Sequence, residues 1–195
     1  MTNTAEKIGI GRDEYLAGEL ESPVKHEYLA GQVFAMAGAS EAHVTISLNL
    51  ASLLRPHVRG GPCRVYMADM KVRVEAADAF FYPDVFATCS EADAALTYFK
   101  ESPTLIVEVL SSSTAAFDRG KKFAHYRRLD SLREYVVIDP DLMSVDVFRR
   151  NEADQWVLIP FAEGDQVELT SIDFSTPIET IYEDVDLTEL PNSTT

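Results

Sequence analysis

The sequence is short of cysteine, of basic residues and of long apolar runs, and each shortage excludes something. Its two cysteines, Cys63 and Cys89, stand alone with no Cys-x-x-Cys spacing. That argues against a structural zinc site and predicts free thiols in a reducing compartment. No apolar run approaches the ~18 residues that span a membrane. Met1 to Gly11 lacks the apolar core of a signal peptide. A cytoplasmic protein that does not enter membranes is expected. Seventeen Lys and Arg stand against 32 Asp and Glu, a formal net charge of −15, which disfavours a broad basic surface for nucleic acid. The bases are nonetheless clustered: Arg119, Lys121, Lys122, Arg127, Arg128 and Arg133 lie within one short stretch. His26, His57 and His125 have no partner at i, i+4, so a histidine metal site is unsupported. Ser111 to Thr114 is rich in hydroxyls, but no Gly-x-Ser-x-Gly elbow surrounds it, and loop or capping roles account for it better.

What remains is ordinary for a globular chain: 46% hydrophobic and 25% charged over 195 residues. That suits a single domain spanning residues 1–195, with a loose leader over 1–11 and a polar, acidic tail over 183–195. A short helix is expected from Arg12 to Gly18. A turn at Ala30-Gly31 should join two short strands. Ser40 is placed to cap a helix reaching His57, in which Val44, Leu48, Ala51 and Leu54 form one apolar stripe and Ile46, Leu50 and Leu53 another. Burial on both sides is expected. Strands are expected at Cys63–Val74, with Lys71 and Arg73 outward, at Phe80–Cys89 and at Pro103–Leu110. A helix should follow from about Ala116 to Leu129, then strands at Glu134–Asp139, Ser144–Arg150 and Gln155–Phe161. Gly164-Asp165 should turn the last of these back into Gln166–Leu169. The fold class is α/β, with a mixed central sheet flanked by helices and an additional C-terminal β-meander. Strand, helix and strand from Glu108 to Ile138 make one crossover.

One stretch carries chemistry. Leu105-Ile106-Val107-Glu108-Val109-Leu110 is an apolar strand with a carboxylate in its middle, and a desolvated carboxylate needs a cation, a hydrogen-bond network or a metal. Asp84, in Tyr82-Pro83-Asp84-Val85, and Lys122 are the candidates to share its site. Two carboxylates on neighbouring strands suit a hard cation such as Mg2+, with Mn2+ as a substitute. A lysine nearby would orient or deprotonate a water, or neutralise developing charge. Helix geometry selects the lysine. Phe123, Tyr126 and Leu129 define one face, from whose centre Lys122 lies about 40° away and Lys121 about 140°. Each residue also has a plainer reading. Asp84 could cap a turn, Glu108 could pair with an arginine, and Lys122 could lie along the helix flank. Asp69 reads as a loop-backbone acceptor ahead of a supporting acid. His43 reads as a helix-surface or cap-region residue ahead of a ligand. Tyr126 reads as core, with its hydroxyl at the site edge. Arg127, Arg128 and Arg133 are either solvated or in contact with phosphates.

The ordered segments YPDV, LIVEVLSSST and DRGKKFAHYRRLDSLREYVVIDP resemble the Uma-two family of the PD-(D/E)xK restriction-endonuclease-like superfamily. HEYLAGQVFAMAGASEAH is similar to that family's opening segment, a Glu followed by a Gly turn and later a His. The resemblance runs from about Asp13 to Phe161. It implies a restriction-endonuclease-like core, with Asp84 and Glu108 as metal-binding acids and Glu27 as an upstream acid. One position departs: the superfamily places Lys two residues after the second acid, where this chain has Leu110. The family is understood to supply the lysine from the following helix, matching Lys122. The expectation is a Mg2+-dependent endonuclease acting on nucleic acid, DNA first. The alternative is a catalytically inactive nucleic-acid or protein interaction module on the same fold. For an enzyme cutting both strands, a homodimer would match duplex symmetry.

Overall fold

The computed structural model describes residues 9–111 and 117–187. In chain order it contains helix α1 (Arg12–Glu21), strands β1 (His26–Leu29) and β2 (Gln32–Ala35), helix α2 (Glu41–His57), and strands β3 (Arg64–Met67), β4 (Lys71–Val74), β5 (Ala79–Phe81) and β6 (Val85–Thr88). A short helix α3 (Glu91–Ala94) precedes β7 (Phe99–Lys100) and β8 (Pro103–Val109). A π-helical turn over Phe117–Lys122 runs into α4 (Phe123–Tyr126). There follow β9 (Glu134–Asp139), β10 (Ser144–Arg150), β11 (Trp156–Ala162), β12 (Gln166–Leu169), β13 (Phe174–Pro177) and α5 (Ile178–Ile181).

The central sheet has the order β11-β10-β9-β8-β6-β3, and a second sheet the order β2-β1-β5-β4-β7. In the central sheet β8 and β9 are parallel and the other pairs antiparallel. The mixed sheet and the helical connection between parallel neighbours are therefore as expected. At its middle strands β6, β8 and β9 both faces of the central sheet are covered, which is why these read as near-continuous apolar runs. Leu105, Val107 and Val109 of β8 pack with Ile46, Leu50 and Leu54 of α2 and with Ile178 and Ile181 of α5. Ile106 and Leu110, on the opposite face by the two-residue period of a strand, pack with Phe81, Tyr126 and Tyr135. Glu108 shares the face of Ile106 and Leu110, the one turned toward the second sheet. Beyond that sheet, Tyr15 of α1 packs on Tyr28 and Phe80.

Several expectations need correction. Cys63–Val74 and Phe80–Cys89 are not single strands. Each crosses from one sheet to the other, at Ala68–Met70 and at Tyr82–Asp84, where Ala68 takes a positive φ of 50° and its N–H donates to the Asp84 carbonyl at 3.1 Å. Period-two counting cannot detect such a crossing, because apolar alternation continues on both sides of it. Lys71 is buried, its ammonium 3.2 Å from the Tyr82 hydroxyl. Asp69 pairs with exposed Lys25, and among the described residues it accepts from no loop backbone. Burial on both sides of α2 is incomplete: in the stripe of Val44, Leu48, Ala51 and Leu54, Val44 and Leu48 are more than half exposed while Ala51 and Leu54 are buried. β12 does not return along β11; it pairs with β13 as a separate hairpin, so the meander is β9–β10–β11. The helix expected to reach Leu129 ends its regular part at Tyr126.

The cysteines are not free. Cys63 and Cys89 immediately flank the Arg64–Thr88 pair of β3 and β6, which sets their Cα atoms 3.9 Å apart, and they form a disulfide. The free-thiol support for a cytoplasmic location is therefore lost. Among the described residues, no helix is long and apolar enough to cross a membrane. Residues 1–8, 112–116 and 188–195 lie outside the described residues, and with them most of the expected leader, of the hydroxyl-rich loop and of the acidic tail. Ile10, in the expected leader, donates its N–H to Gly31 O at 3.0 Å and accepts from the Tyr28 hydroxyl at 3.1 Å. Val185 and Leu187 pack against the core.

Candidate active site

The site lies in the fork where the two sheets part. Asp84 is the last residue of the Tyr82–Asp84 crossing. Because Val85 pairs with Val107, the ladder continued by one residue sets Asp84 opposite Glu108. Cross-strand neighbours of this kind have Cβ atoms about 5 Å apart. Asp84 is fixed at both oxygens: Oδ2 accepts from the Val109 N–H at 2.7 Å, and Oδ1 lies 2.9 Å from His43 Nε2. His43 stands in the first turn of α2, which Ser40 caps by accepting from the His43 N–H at 3.3 Å.

Lys122 enters from the other side, at the end of the π-helical turn; such turns recur at functional sites because they re-aim side chains. It is buried while Lys121 is exposed, as helix geometry predicted. Its Nζ lies 2.9 Å from Glu27 Oε1, 3.0 Å from Glu108 Oε1 and 3.7 Å from Asp118 Oδ1, beneath the Phe81 ring. Glu27 arrives from β1, and its Oε1 also accepts from the Tyr82 N–H at 3.3 Å. The Tyr126 hydroxyl donates to Glu108 Oε1 at 3.1 Å, the site-edge role expected of it. The plainer reading of Glu108, an arginine pair, is replaced by this lysine.

The electrostatics are those of an acidic pocket around one ammonium. Burial pushes the Glu108 carboxyl well above the usual carboxylate range; Lys122 pulls the other way, and Asp84, Asp118 and Glu27 add to the upward shift. Burial would lower the Lys122 ammonium, but Glu108, Glu27 and Asp118 outweigh it and hold the proton on. Burial opposes charge on His43 as well, yet the hydrogen bond and charge of Asp84 bring its pKa above the ordinary value. Tyr126 stays neutral, raised by burial and then by Glu108. Four carboxylates facing Lys122 and His43 leave surplus negative charge. The donor set is hard oxygen, the chemistry that a Mg2+-like ion prefers.

All four expected residues, Glu27, Asp84, Glu108 and Lys122, thus meet in one largely buried cluster. Sequence reasoning undervalued His43 and passed over Asp118. The first carried a signal, the His that closes the family-like opening segment. The second carried another, its i, i+4 spacing to Lys122. The basic cluster is dispersed. Arg119 is taken up by Asp146 at 2.7 Å, and Arg133 lies near the start of β8, its N–H on Thr104 O, at the far end of that strand from Glu108. Arg127 and Arg128 are exposed beyond α4.

A mixed sheet whose strands bring two acids together at a fork, with a lysine from the following helix, is a restriction-endonuclease-like fold. The structure matches one from Anabaena variabilis ATCC 29413, described as a "putative nuclease belonging to DUF820", with a TM-score of 0.71 at 18% identity, covering 88% of this chain and 96% of that one. The family model Uma2, described as "Putative restriction endonuclease", matches residues 12–179, and the chain belongs to that family. Two relatives come from Synechocystis sp. (strain ATCC 27184 / PCC 6803 / Kazusa). The uncharacterized protein slr1290 is 36% identical over 170 residues, 87% of this chain and 90% of that protein. The uncharacterized protein sll1609 is 33% identical over 151 residues, 74% of this chain and 83% of that protein.

Proposed function

We infer that this protein is a divalent-metal-dependent endonuclease that hydrolyses phosphodiester bonds in nucleic acid, with DNA the first substrate to test. The observation that carries the reading is Lys122 Nζ held between Glu27 and Glu108; Asp84, one residue beyond the Val85–Val107 pair, falls opposite Glu108 when that ladder is continued. Among the described residues, no three His, Cys, Asp or Glu side chains converge as a ready cage. Asp84 and Glu108 would therefore hold Mg2+, or Mn2+, with water completing the shell, as is usual for Mg2+. Lys122 and Tyr126 both reach Glu108 through Oε1. A cation bound there would supply charge neutralisation at a phosphoryl oxygen.

The remaining roles fall to side chains. His43 and the Val109 N–H orient Asp84. Glu27 and Glu108 aim the Lys122 ammonium into the cleft, where it would donate to the attacking water or to a phosphoryl oxygen. Held between Glu27 and Glu108, Lys122 serves as an electrostatic clamp. Phe81 and Tyr126 exclude bulk water around it, which strengthens each of these interactions.

The test has two arms. Calorimetry should show Mn2+ binding to the wild type and a loss of at least tenfold in affinity for Asp84→Ala; equal binding sinks the metal assignment. Plasmid and single-stranded DNA incubated with Mg2+ should be cleaved by the wild type and not by Asp84→Ala. A second reading, an inactive interaction module, is favoured by one observation: a net charge of −15 repels phosphates. Intact metal binding without cleavage selects it.

A further inference from the structure

The edges of the two larger sheets are not alike. Natural sheets blunt their edges with proline, charge or shortness, because unpaired backbone groups invite another strand. β11 carries Pro160, β3 opens on Arg64, and β7 is two residues long. β2, the fourth edge, has none of these devices. From Gln32 through Ser40 there is no charge and no proline. All four β2 residues are exposed, with Phe34 at 50% and Met36, just beyond the strand, at 37%.

The parity of the strand is fixed. Leu29 pairs with Gln32 across the two-residue turn, and the Met36 N–H donates to Lys25 O at 2.9 Å. Backbone groups of Gln32, Phe34 and Met36 thus point to β1. By the alternation of an antiparallel ladder, those of Val33 and Ala35 point outward.

The geometry points to a homodimer formed by antiparallel pairing of β2 with β2 of a second copy. Val33 of each copy lies opposite Ala35 of the other, and Phe34 meets its own symmetry mate at the two-fold axis. This register uses the outward groups of both residues, for about four backbone hydrogen bonds. It makes an isologous contact, so one strand supplies both halves. Charge argues for the same place: two copies that each carry −15 meet with least repulsion where the surface is uncharged, and Gln32–Ser40 is such a stretch. Phe34 pairs with Glu27 and shares its face, so the dimer sets the two clefts on one side of a continuous sheet. The two Glu27 residues are then three strand spacings apart, roughly 14 Å. The catalytic meaning of that spacing rests on the nuclease reading; the dimer does not.

Sedimentation of the full chain at tens of micromolar should show a species of twice 21.7 kDa. Ala35→Pro removes an N–H that the monomer does not use and should yield a monomer with an unchanged circular dichroism spectrum. Phe34→Cys should give a disulfide-linked dimer on a non-reducing gel, because facing residues of a non-hydrogen-bonded pair lie about 4.5 Å apart. Val33→Cys should cross-link far less. If Ala35→Pro fails to fold, the comparison of the two cysteine variants decides alone. A wild-type monomer, a dimer that survives Ala35→Pro, or Phe34→Cys cross-linking no better than Val33→Cys overturns the inference. So does a monomer whose β2 amides gain protection only when a single-stranded oligonucleotide is added, which assigns the edge to nucleic acid. A dimer that cuts no DNA would count against the nuclease reading alone.

Discussion

Replacing Lys122 with methionine keeps the length of the side chain and removes its charge. In the wild type the ammonium lies 2.9 Å from Glu27 and 3.0 Å from Glu108, both largely buried. Deleting one member of a buried ion pair costs about 3–5 kcal/mol, because the remaining charge stays desolvated. Here two carboxylates lose their nearest cation, with Asp118 as a third at 3.7 Å, so the upper half of that range is expected. With a urea m-value near 2 kcal/mol per molar, the unfolding midpoint should fall by roughly 2 M. Glu108→Gln in the same chain removes the charge left most deeply buried and should recover part of the loss. The double-mutant cycle should then return a coupling of about 2 kcal/mol or more. Equilibrium urea unfolding followed by tryptophan fluorescence, with Trp156 packed edge-on against Phe123, reads all four proteins. A Lys122→Met midpoint within about 0.3 M of wild type, or a coupling near zero, would refute the view that this lysine is the electrostatic keystone of the cleft.

Two further substitutions probe the frame around the site. The Cys63–Cys89 bond spans 26 residues, and chain-entropy arithmetic gives about 3.5 kcal/mol for a loop of that length. Cys63→Ser should lower stability by roughly that much, and the unreduced wild type, unfolded in urea, should titrate no free thiol; two reactive thiols would contradict the bond. Glu134 is fully buried and accepts from Arg149 Nε at 2.7 Å, the Thr170 N–H at 3.1 Å and the Ser171 N–H at 2.9 Å. Glu134→Ala strands those donors and should cost about 3–5 kcal/mol. Hydrogen exchange at Thr170 and Ser171 should accelerate selectively, and unchanged exchange would refute the clip between β9 and the C-terminal hairpin.

The sequence exposed those parts of the fold that obey local rules. Ala30-Gly31 adopts two successive positive φ values, 47° and 83°, the conformation that a two-residue hairpin turn requires, so the β1–β2 turn was legible. Ser40 capped its helix for an equally local reason. What stayed hidden was non-local. Lys71 alternates with Val72 as a surface residue would, yet it faces the Tyr82 hydroxyl and α1, because β4 belongs to a sheet that is covered on both sides. Pairing of β12 with β13, and not with β11, likewise depends on which apolar face the rest of the molecule has left open. A turn at Gly164 is compatible with either outcome.

The site divides along the same line. Glu108 was visible because a carboxylate in an apolar strand violates burial rules, and a violation demands a partner. Lys122 was visible because helical phase places it on the buried face. Asp84 and His43 were harder, since each has an ordinary local role, a turn acid and a cap-region histidine. Only the crossing of the chain between the two sheets carries Asp84 to the end of the Glu108 strand and against His43 at 2.9 Å. Residues that break a local rule announce themselves in a sequence. Residues that obey one while serving a distant partner do not, and in this cleft the two kinds are held together by the same fork between the sheets.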